Sequence, residues 1–82
     1  MNNIKITVRF HGIVADQIGT QEESINIPEH STVAEVINER YMSKFNGQNQ
    51  VSAYAINNQF SNENDIIQDG DVIDLMPPFA GG

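Results

Sequence analysis

The fold of this chain is decided by the stretch Asp69-Gly70-Asp71-Val72-Ile73-Asp74-Leu75-Met76-Pro77-Pro78-Phe79-Ala80-Gly81-Gly82. Asp69 and Gly70 form a pair typical of a turn, because glycine adopts a positive φ without steric cost. Residues 71–76 then alternate, so that Ile73 and Leu75 point to one face of a strand and the residues between them to the other. A proline cannot donate a hydrogen bond to a sheet, and the two that follow therefore end this strand. The stretch predicts a last strand that leads into a tail.

The tail has the composition of a stiff stalk with a flexible end. Its two prolines fix φ at about −65° and favour a polyproline-like extension. At about 3.1 to 3.3 Å per residue, the tail could reach on the order of 20 Å from the domain. Gly81 and Gly82 have no Cβ and can enter a narrow channel, which suits a carboxylate that is itself the reacting group. We therefore divide the chain into a domain at residues 1–76 and a flexible, reactive tail at residues 77–82, with Gly82 as the reacting residue.

A partner protein would meet several apolar groups along the tail. Phe79 places a large apolar ring there, and a pocket on a partner suits this ring better than water does. The alternative is that Phe79 packs back onto its own sheet, which the preceding prolines disfavour. We expect Pro77, Pro78, Phe79 and Ala80 to contact a partner.

The beginning of the chain indicates two strands. Apolar residues alternate with polar ones along the first, which is buried on one face: Ile4, Ile6, Val8 and Phe10. Residues 24–27 indicate a second, shorter strand. Residues 12–19 between the two are long enough for a loop or one helical turn.

A helix follows the second strand. Thr32 and Glu35 have the spacing of a capping box, which marks the start of a helix. The next apolar residues recur at helical spacing and form one stripe: Val33, Val36, Ile37 and Tyr41. We expect this helix to cover the sheet and to end before a polar loop at residues 46–50.

The remaining part of the chain predicts a hairpin. Residues 51–56 read as a third strand, and Asn57-Asn58 reads as a tight turn because asparagine tolerates a positive φ. Gln59 and Phe60 then begin a short return strand. Together with the last strand, these elements make an α+β domain with one sheet and one main covering helix.

Composition and charge exclude several classes of function. Eleven acidic residues against four basic ones give the 82 residues a net charge of −7, which argues against binding to nucleic acid or to anionic membranes. We take most of these acidic residues as solvated surface, and any part with a function would complement a basic surface of a partner. The chain has no cysteine, so disulfides, thiolate metal sites and a cysteine nucleophile are excluded. Neither a signal peptide nor an apolar run of about 20 residues is present, and we expect a cytoplasmic protein.

No catalytic or metal-binding motif stands out. His11 and His30 are far apart in the sequence and have no flanking ligand spacing, so we expect no metal site. Residues 62–65 are superficially like a calcium-binding loop, but the required glycine and glutamate are out of register, and we read them as a polar turn. The chain also lacks a glycine-rich phosphate loop and any nucleophile motif. We expect it to bind no cofactor.

The order of elements and the ending D-G-D followed by P-P-x-x-G-G resemble the β-grasp sulfur carriers of the MoaD and ThiS type, and specifically the small subunit of molybdopterin synthase. Gly19-Thr20 and the run Ala55-Ile56-Asn57 before the hairpin support the resemblance, which covers nearly the whole chain. It implies a ubiquitin-like mixed sheet whose first and last strands lie parallel at its centre. One departure is Ala15-Asp16, where relatives often carry an Arg-Glu pair, so the resemblance does not extend to a partner contact made by an arginine there.

The resemblance implies a carrier cycle that runs in the active sites of partners. An E1-like adenylyltransferase, using ATP, would convert the Gly82 carboxylate to an acyl-adenylate, and sulfur would displace AMP to leave a thiocarboxylate. The tail would then enter the large subunit of molybdopterin synthase and pass its sulfur to the pterin precursor. Family precedent implies a heterotetramer of two small and two large subunits. By this resemblance the chain is a covalent co-substrate that supplies no acid, base or metal.

Matching the hairpin and the last strand to the family places Phe60 and Met76 on the carrier's hydrophobic docking patch. The alternative is that both side chains belong to the core, since exposed apolar groups are only a general sign of an interface.

Three other functions remain open. The same chemistry could serve the thiazole of thiamine, although those carriers are usually shorter and less often have the double proline. A ubiquitin-like modifier would instead join Gly82 to a lysine through an isopeptide bond. A passive binding module would have an inert tail, and would leave the prolines and terminal glycines without a purpose.

Overall fold

A computed structural model of the protein describes residues 2–46 and 50–78. The five strands are β1 (Asn3–Phe10), β2 (Glu22–Pro28), β3 (Ala53–Ile56), β4 (Gln59–Ser61) and β5 (Val72–Met76). The helices are α1 (Gly12–Ile18) and α2 (Val33–Val36), and α2 continues as a π-helical piece at Ile37–Tyr41 and a 3-10 turn at Met42–Phe45. No helix in the described part of the chain is long and apolar enough to cross a bilayer.

The strands form one mixed sheet in the order β2-β1-β5-β3-β4. β1 and β5 pair in parallel at its centre, with Thr7 opposite Val72 and Phe10 opposite Leu75. The other pairs are antiparallel. A parallel first and last strand at the centre of a mixed sheet, with a helix on one face, is the ubiquitin-like β-grasp arrangement that the family resemblance implies, and the α+β class is confirmed.

The core lies between the helices and one face of the sheet. Its members include the alternating residues of the two central strands: Ile6, Val8, Phe10, Ile73 and Leu75. The apolar stripe that follows Thr32 is also buried, and the Tyr41 ring meets Phe10 edge to face with 5.1 Å between ring centroids. The Tyr41 hydroxyl donates to Glu23 at 2.7 Å, so the polar end of this buried side chain has a partner.

Local predictions from the sequence mostly match the observed elements. Thr32 and Glu35 form the capping box, in which the Glu35 carboxylate accepts from the Thr32 amide at 2.9 Å. Asn57 and Asn58 have φ values of 53° and 68°, as a tight turn between two strands requires. Residues 62–65 are a polar turn, in which the Asp65 amide donates to the carbonyl of Asn62.

Element lengths differ from the prediction at three places. α1 has seven residues, longer than the loop or single turn expected, because Val14 and Ile18 are buried against the sheet. β2 is longer than residues 24–27, since Glu22 and Glu23 complete its pairing with β1. β3 begins at Ala53 rather than at residue 51, although the Ser52 amide still bonds to the neighbouring strand.

Candidate functional site

One apolar patch lies on the face of the sheet opposite the main helix. Phe60, on β4, is 83% exposed, and Met76, at the end of β5, is half-buried. Ala55, on β3, pairs with Phe60 on one side and with Asp74 on the other. A shallow cavity of about 270 Å³ joins them, and we call the residues that line it the docking face: Arg9, His11, Ala55, Asn58, Phe60, Asp74 and Met76.

A charged cluster occupies the centre of the docking face. Arg9 and Asp74 are opposite each other in the parallel pairing of β1 with β5. The Arg9 guanidinium donates through Nε to Asp74 Oδ1 at 3.0 Å and through Nη2 to Oδ2 at 3.2 Å, a two-point contact. His11 Nε2 lies 2.7 Å from the same Oδ1, and Arg9 Nη2 also reaches Asn58 Oδ1 at 3.2 Å.

These contacts keep Asp74 ionised although the residue is only 5% exposed. Burial by itself would raise the pKa of Asp74, but the hydrogen bonds and charges of Arg9 and His11 outweigh it and hold the pKa below its usual value. An ionised carboxylate only accepts hydrogen bonds, so His11 Nε2 carries the hydrogen and donates it. Asp74 is therefore an exception to the expectation that most of the acidic residues are solvated surface, because its carboxylate pairs across the sheet with Arg9 and His11.

The tail leaves the sheet beside this face, at the residues Met76, Pro77 and Pro78, which we call the tail root. The Met76 carbonyl accepts from the Ser52 amide at 2.7 Å. Pro77 is half-buried and Pro78 is exposed, and neither proline can donate a backbone hydrogen bond. The residue after β1 is hydrogen-bonded to β5 just before the tail root, since the His11 amide donates to the Leu75 carbonyl at 3.2 Å.

Gly12 makes the closest approach to the tail root. It begins α1 with a φ of 53°, and a Cβ built on it would lie 3.1 Å from Cγ of Pro77. Ordinary van der Waals contacts of a Cβ are 3.4–4 Å. The Pro77 ring therefore packs where a side chain at position 12 would stand.

The structure brings Phe60, Met76, Pro77 and Pro78 to one side of the domain. Phe79, Ala80, Gly81 and Gly82 lie outside the described residues, so the reacting residue and the expected anchor stay predictions. Within residues 2–46 and 50–78, no three His, Asp or Glu side chains come close enough together to hold a metal ion.

Sequence reasoning did not assign Arg9, His11, Asp74 or Gly12 to the site. A strictly alternating strand places Arg9 on the uncovered face, and the parallel pairing of β1 with β5 then puts it opposite Asp74. Combining the alternation with the topology that the resemblance implies could have found this pair. The contact between Gly12 and Pro77 has no signal in the sequence beyond the glycine itself.

Solved structures with the same fold come from archaea and bacteria. A putative molybdopterin converting factor, subunit 1, from Pyrococcus furiosus is 25% identical, with a TM-score of 0.76, and the match covers 92% of this chain and 98% of that one. A chain in the complex of subunits 1 and 2 of molybdopterin-converting factor from Helicobacter pylori is 29% identical, with a TM-score of 0.64 and coverage of 96% and 100%.

Modifier proteins share the fold at lower identity. SAMP1 from Haloferax volcanii is 13% identical, with a TM-score of 0.77 and coverage of 95% of this chain and 99% of that one. No curated protein matches the chain by sequence. The model of the ThiS family matches residues 8–82. With most of its length matched in this way and its strands in the β-grasp order, the chain belongs to the ThiS family.

Proposed function

We propose that the chain is the sulfur carrier subunit of a molybdopterin synthase. In this role Gly82 is adenylated, then thiocarboxylated, and donates its sulfur to the pterin precursor in molybdenum cofactor biosynthesis. The observation that carries the proposal is the placement of the exposed Phe60 on the same face as Met76, the residue at which the tail root begins. The two structures named for molybdopterin converting factor support the choice of product.

The chemistry needs an activating partner. A carboxylate is a poor electrophile, because its leaving group would be oxide or hydroxide. When a Gly82 oxygen attacks the α-phosphorus of ATP, pyrophosphate leaves and an acyl-adenylate forms. Hydrosulfide, or a donor that delivers sulfur at the same oxidation level, then attacks the carbonyl carbon and AMP leaves, which gives the thiocarboxylate. The adenylation is the task of an E1-like adenylyltransferase, since the chain has no phosphate-binding loop.

The docking face supplies the surface on which such partners bind. Phe60 offers a large apolar ring, and the cavity beside it offers a recess for an apolar side chain of the partner. The large subunit of the synthase is the partner that receives the sulfur, in a cytoplasmic heterotetramer of two small and two large subunits. The Helicobacter pylori structure, a complex of subunits 1 and 2, supports this assembly of a small with a large subunit.

The intact mass of the protein purified from its own cells tests the proposal. We expect a fraction of the chains to carry the mass increase of one oxygen replaced by sulfur, and a chain lacking Gly82 to carry none. Ladders of higher-mass conjugates would instead identify a protein modifier.

Sulfur transfer provides the direct assay. With the thiocarboxylated chain and the organism's large subunit, the pterin precursor should gain sulfur, and a chain lacking Gly82 or extended by one residue should be inactive while its fold is unchanged. Sulfur transfer by the chain without Gly82 would contradict the carrier role.

Sulfur carriage for thiamine thiazole synthesis is the second candidate, because the chain belongs to the ThiS family. The two roles share every step as far as the thiocarboxylate. They differ in the acceptor of the sulfur. The two candidates are therefore separated by supplying the thiocarboxylated chain with the pterin precursor and the large subunit in one reaction, and with the thiazole-forming system in another.

A further inference from the structure

We propose that Gly12 is a positioning residue for the reacting tail. The missing side chain at Gly12 lets the Pro77 ring pack against the start of α1, and this contact sets the direction in which residues 78–82 leave the domain. The inference rests on the proposed function, since the direction of the tail matters only if Gly82 is the reacting end.

The first argument is the space between the two residues. A Cβ at Gly12 would stand 3.1 Å from Cγ and 3.8 Å from Cδ of Pro77. A long side chain could turn away from such a contact, whereas a proline ring is closed onto its own backbone and can give only through its pucker or with its backbone. A Cβ at position 12 would therefore press on the Pro77 ring, which must give by a few tenths of an ångström.

The second argument is a comparison with other glycines. Gly19 and Gly70 also have positive φ values, 95° and 86°, yet a Cβ built on either would meet nothing within 4 Å. Among the three glycines in the described part of the chain, Gly12 is the one whose open space is filled by the tail root. A need for a positive φ alone does not explain this contact.

The third argument is how the tail root is held. Hydrogen bonds fix the chain as far as Met76, through the Ser52 amide to its carbonyl and the His11 amide to the Leu75 carbonyl. Pro77 and Pro78 have no N–H with which to continue this pattern. The packing of Pro77 beside Gly12 is a contact made directly after the last of these hydrogen bonds, where it can direct the course of the chain.

A small change at Pro77 would be amplified at Gly82. Five residues at about 3.3 Å each place the reacting end up to about 17 Å from Pro77. The two prolines are stiff, so a change in the direction of Pro77 is passed on to the residues that follow, and a misplacement of a reacting group by about 1 Å can reduce a reaction rate about a hundredfold.

The test measures adenylation of the full chain by the organism's own adenylating enzyme, as exchange of pyrophosphate into ATP. For Gly12→Ala we expect kcat to fall by about tenfold or more while KM is unchanged, since the docking face is intact. Gly19→Ala is the matched control, because it also places a Cβ at a positive φ, 95° against 53°, but meets nothing within 4 Å, and its kcat should equal that of the wild type.

A second variant separates backbone strain from the contact with Pro77. Asparagine tolerates a left-handed φ better than alanine does, but it still carries a Cβ. The melting temperature of Gly12→Asn should therefore lie closer to that of the wild type than the melting temperature of Gly12→Ala does. Its kcat should still be lowered.

Two outcomes would overturn the inference, and they are distinguishable. If the wild type is adenylated and Gly12→Asn reacts as fast as Gly19→Ala, Gly12 does not position the tail. If the wild type is not adenylated at all, the proposed function fails, and the role of Gly12 fails with it.

Discussion

The face of the sheet that the helices cover and the face that they leave open are built on the same central strands. On the covered face, Leu75 is 1% exposed and Val8 is fully buried. On the open face, Phe60 is 83% exposed, and the neighbour of Leu75 in the sequence, Asp74, is buried by Arg9 and His11 rather than by the core. Apolar burial stabilises the covered face, whereas the open face carries the Asp74 carboxylate paired with Arg9.

The difference teaches that folding and the proposed docking depend on different residues of the same strand. Alternation along β5 sends Leu75 into the core and Met76 onto the docking face. A substitution at Leu75 should therefore change the stability of the fold and leave partner binding unchanged, and a substitution at Met76 should do the reverse.

The largest effect is expected on the covered face. Leu75→Ala should lower the free energy of unfolding by about 2–5 kcal/mol, because it leaves a cavity in a packed core. Urea denaturation measures this loss. At a temperature where the variant is still folded, its affinity for the large subunit should equal that of the wild type. A folded variant with weakened binding would show that the two faces are coupled.

Phe60→Ala is the reverse experiment on the open face. Truncating an exposed aromatic anchor should weaken binding of the large subunit by about 2 kcal/mol, or about thirtyfold in Kd, as measured by calorimetry. The free energy of unfolding should change by less than about 0.5 kcal/mol. Ile66→Ala is the control, since Ile66 is 51% exposed and lies beside Thr32, away from the docking face. Equal affinities of the two variants would remove Phe60 from the interface.

Asp74→Asn tests the paired charge of the open face through pH. Because the folded pKa of Asp74 lies below its usual value of 3.8, its ionised form stabilises the fold. This contribution is fully present above the unfolded pKa and is lost as the pH falls towards the folded pKa. At neutral pH, Asp74→Asn should cost about 1–2 kcal/mol. Unfolding followed from neutral to acid pH should show the two curves converging, and a constant difference would exclude the charge as the cause.

The smallest effect concerns the start of the covering helix. Thr32→Ala removes the side-chain acceptor of the Glu35 amide and should lower the free energy of unfolding by about 1 kcal/mol. Thermal unfolding monitored by circular dichroism measures it. Adenylation of Gly82 should be unchanged, and a loss of activity without unfolding would mean that this end of the molecule also contacts a partner.

The covered face could be predicted from the sequence because it follows local periodicity. The alternation of Ile6, Val8 and Phe10 and the spacing of Thr32 and Glu35 depend on residues close together in the chain. The pairing of Asp74 with Arg9 depends on the register of two strands 65 residues apart, which no local pattern records. By local pattern alone, an acidic residue on the outer face of a strand cannot be told from solvated surface.

The candidate site likewise has one part that could be predicted from the sequence and one part that could not. Phe60 and Met76 could be placed on one surface from the hairpin, the last strand and the family pattern, and the structure does put them in one cavity. The approach of Gly12 to Pro77 could not be predicted, because it is a contact of 3.1 Å across two elements. Such contacts follow from packing rather than from spacing along the chain.

The parallel pairing of β1 with β5 has a consequence for how the protein acquires its structure during synthesis. The antiparallel partner of β1, β2, follows it closely, whereas β5 comes after every other element. Contacts between distant parts of a sequence slow folding, and an unpaired strand edge invites association with other chains. Until residue 72 has been made, β1 and β3 each lack their shared neighbour. Nascent or truncated chains that end earlier should aggregate.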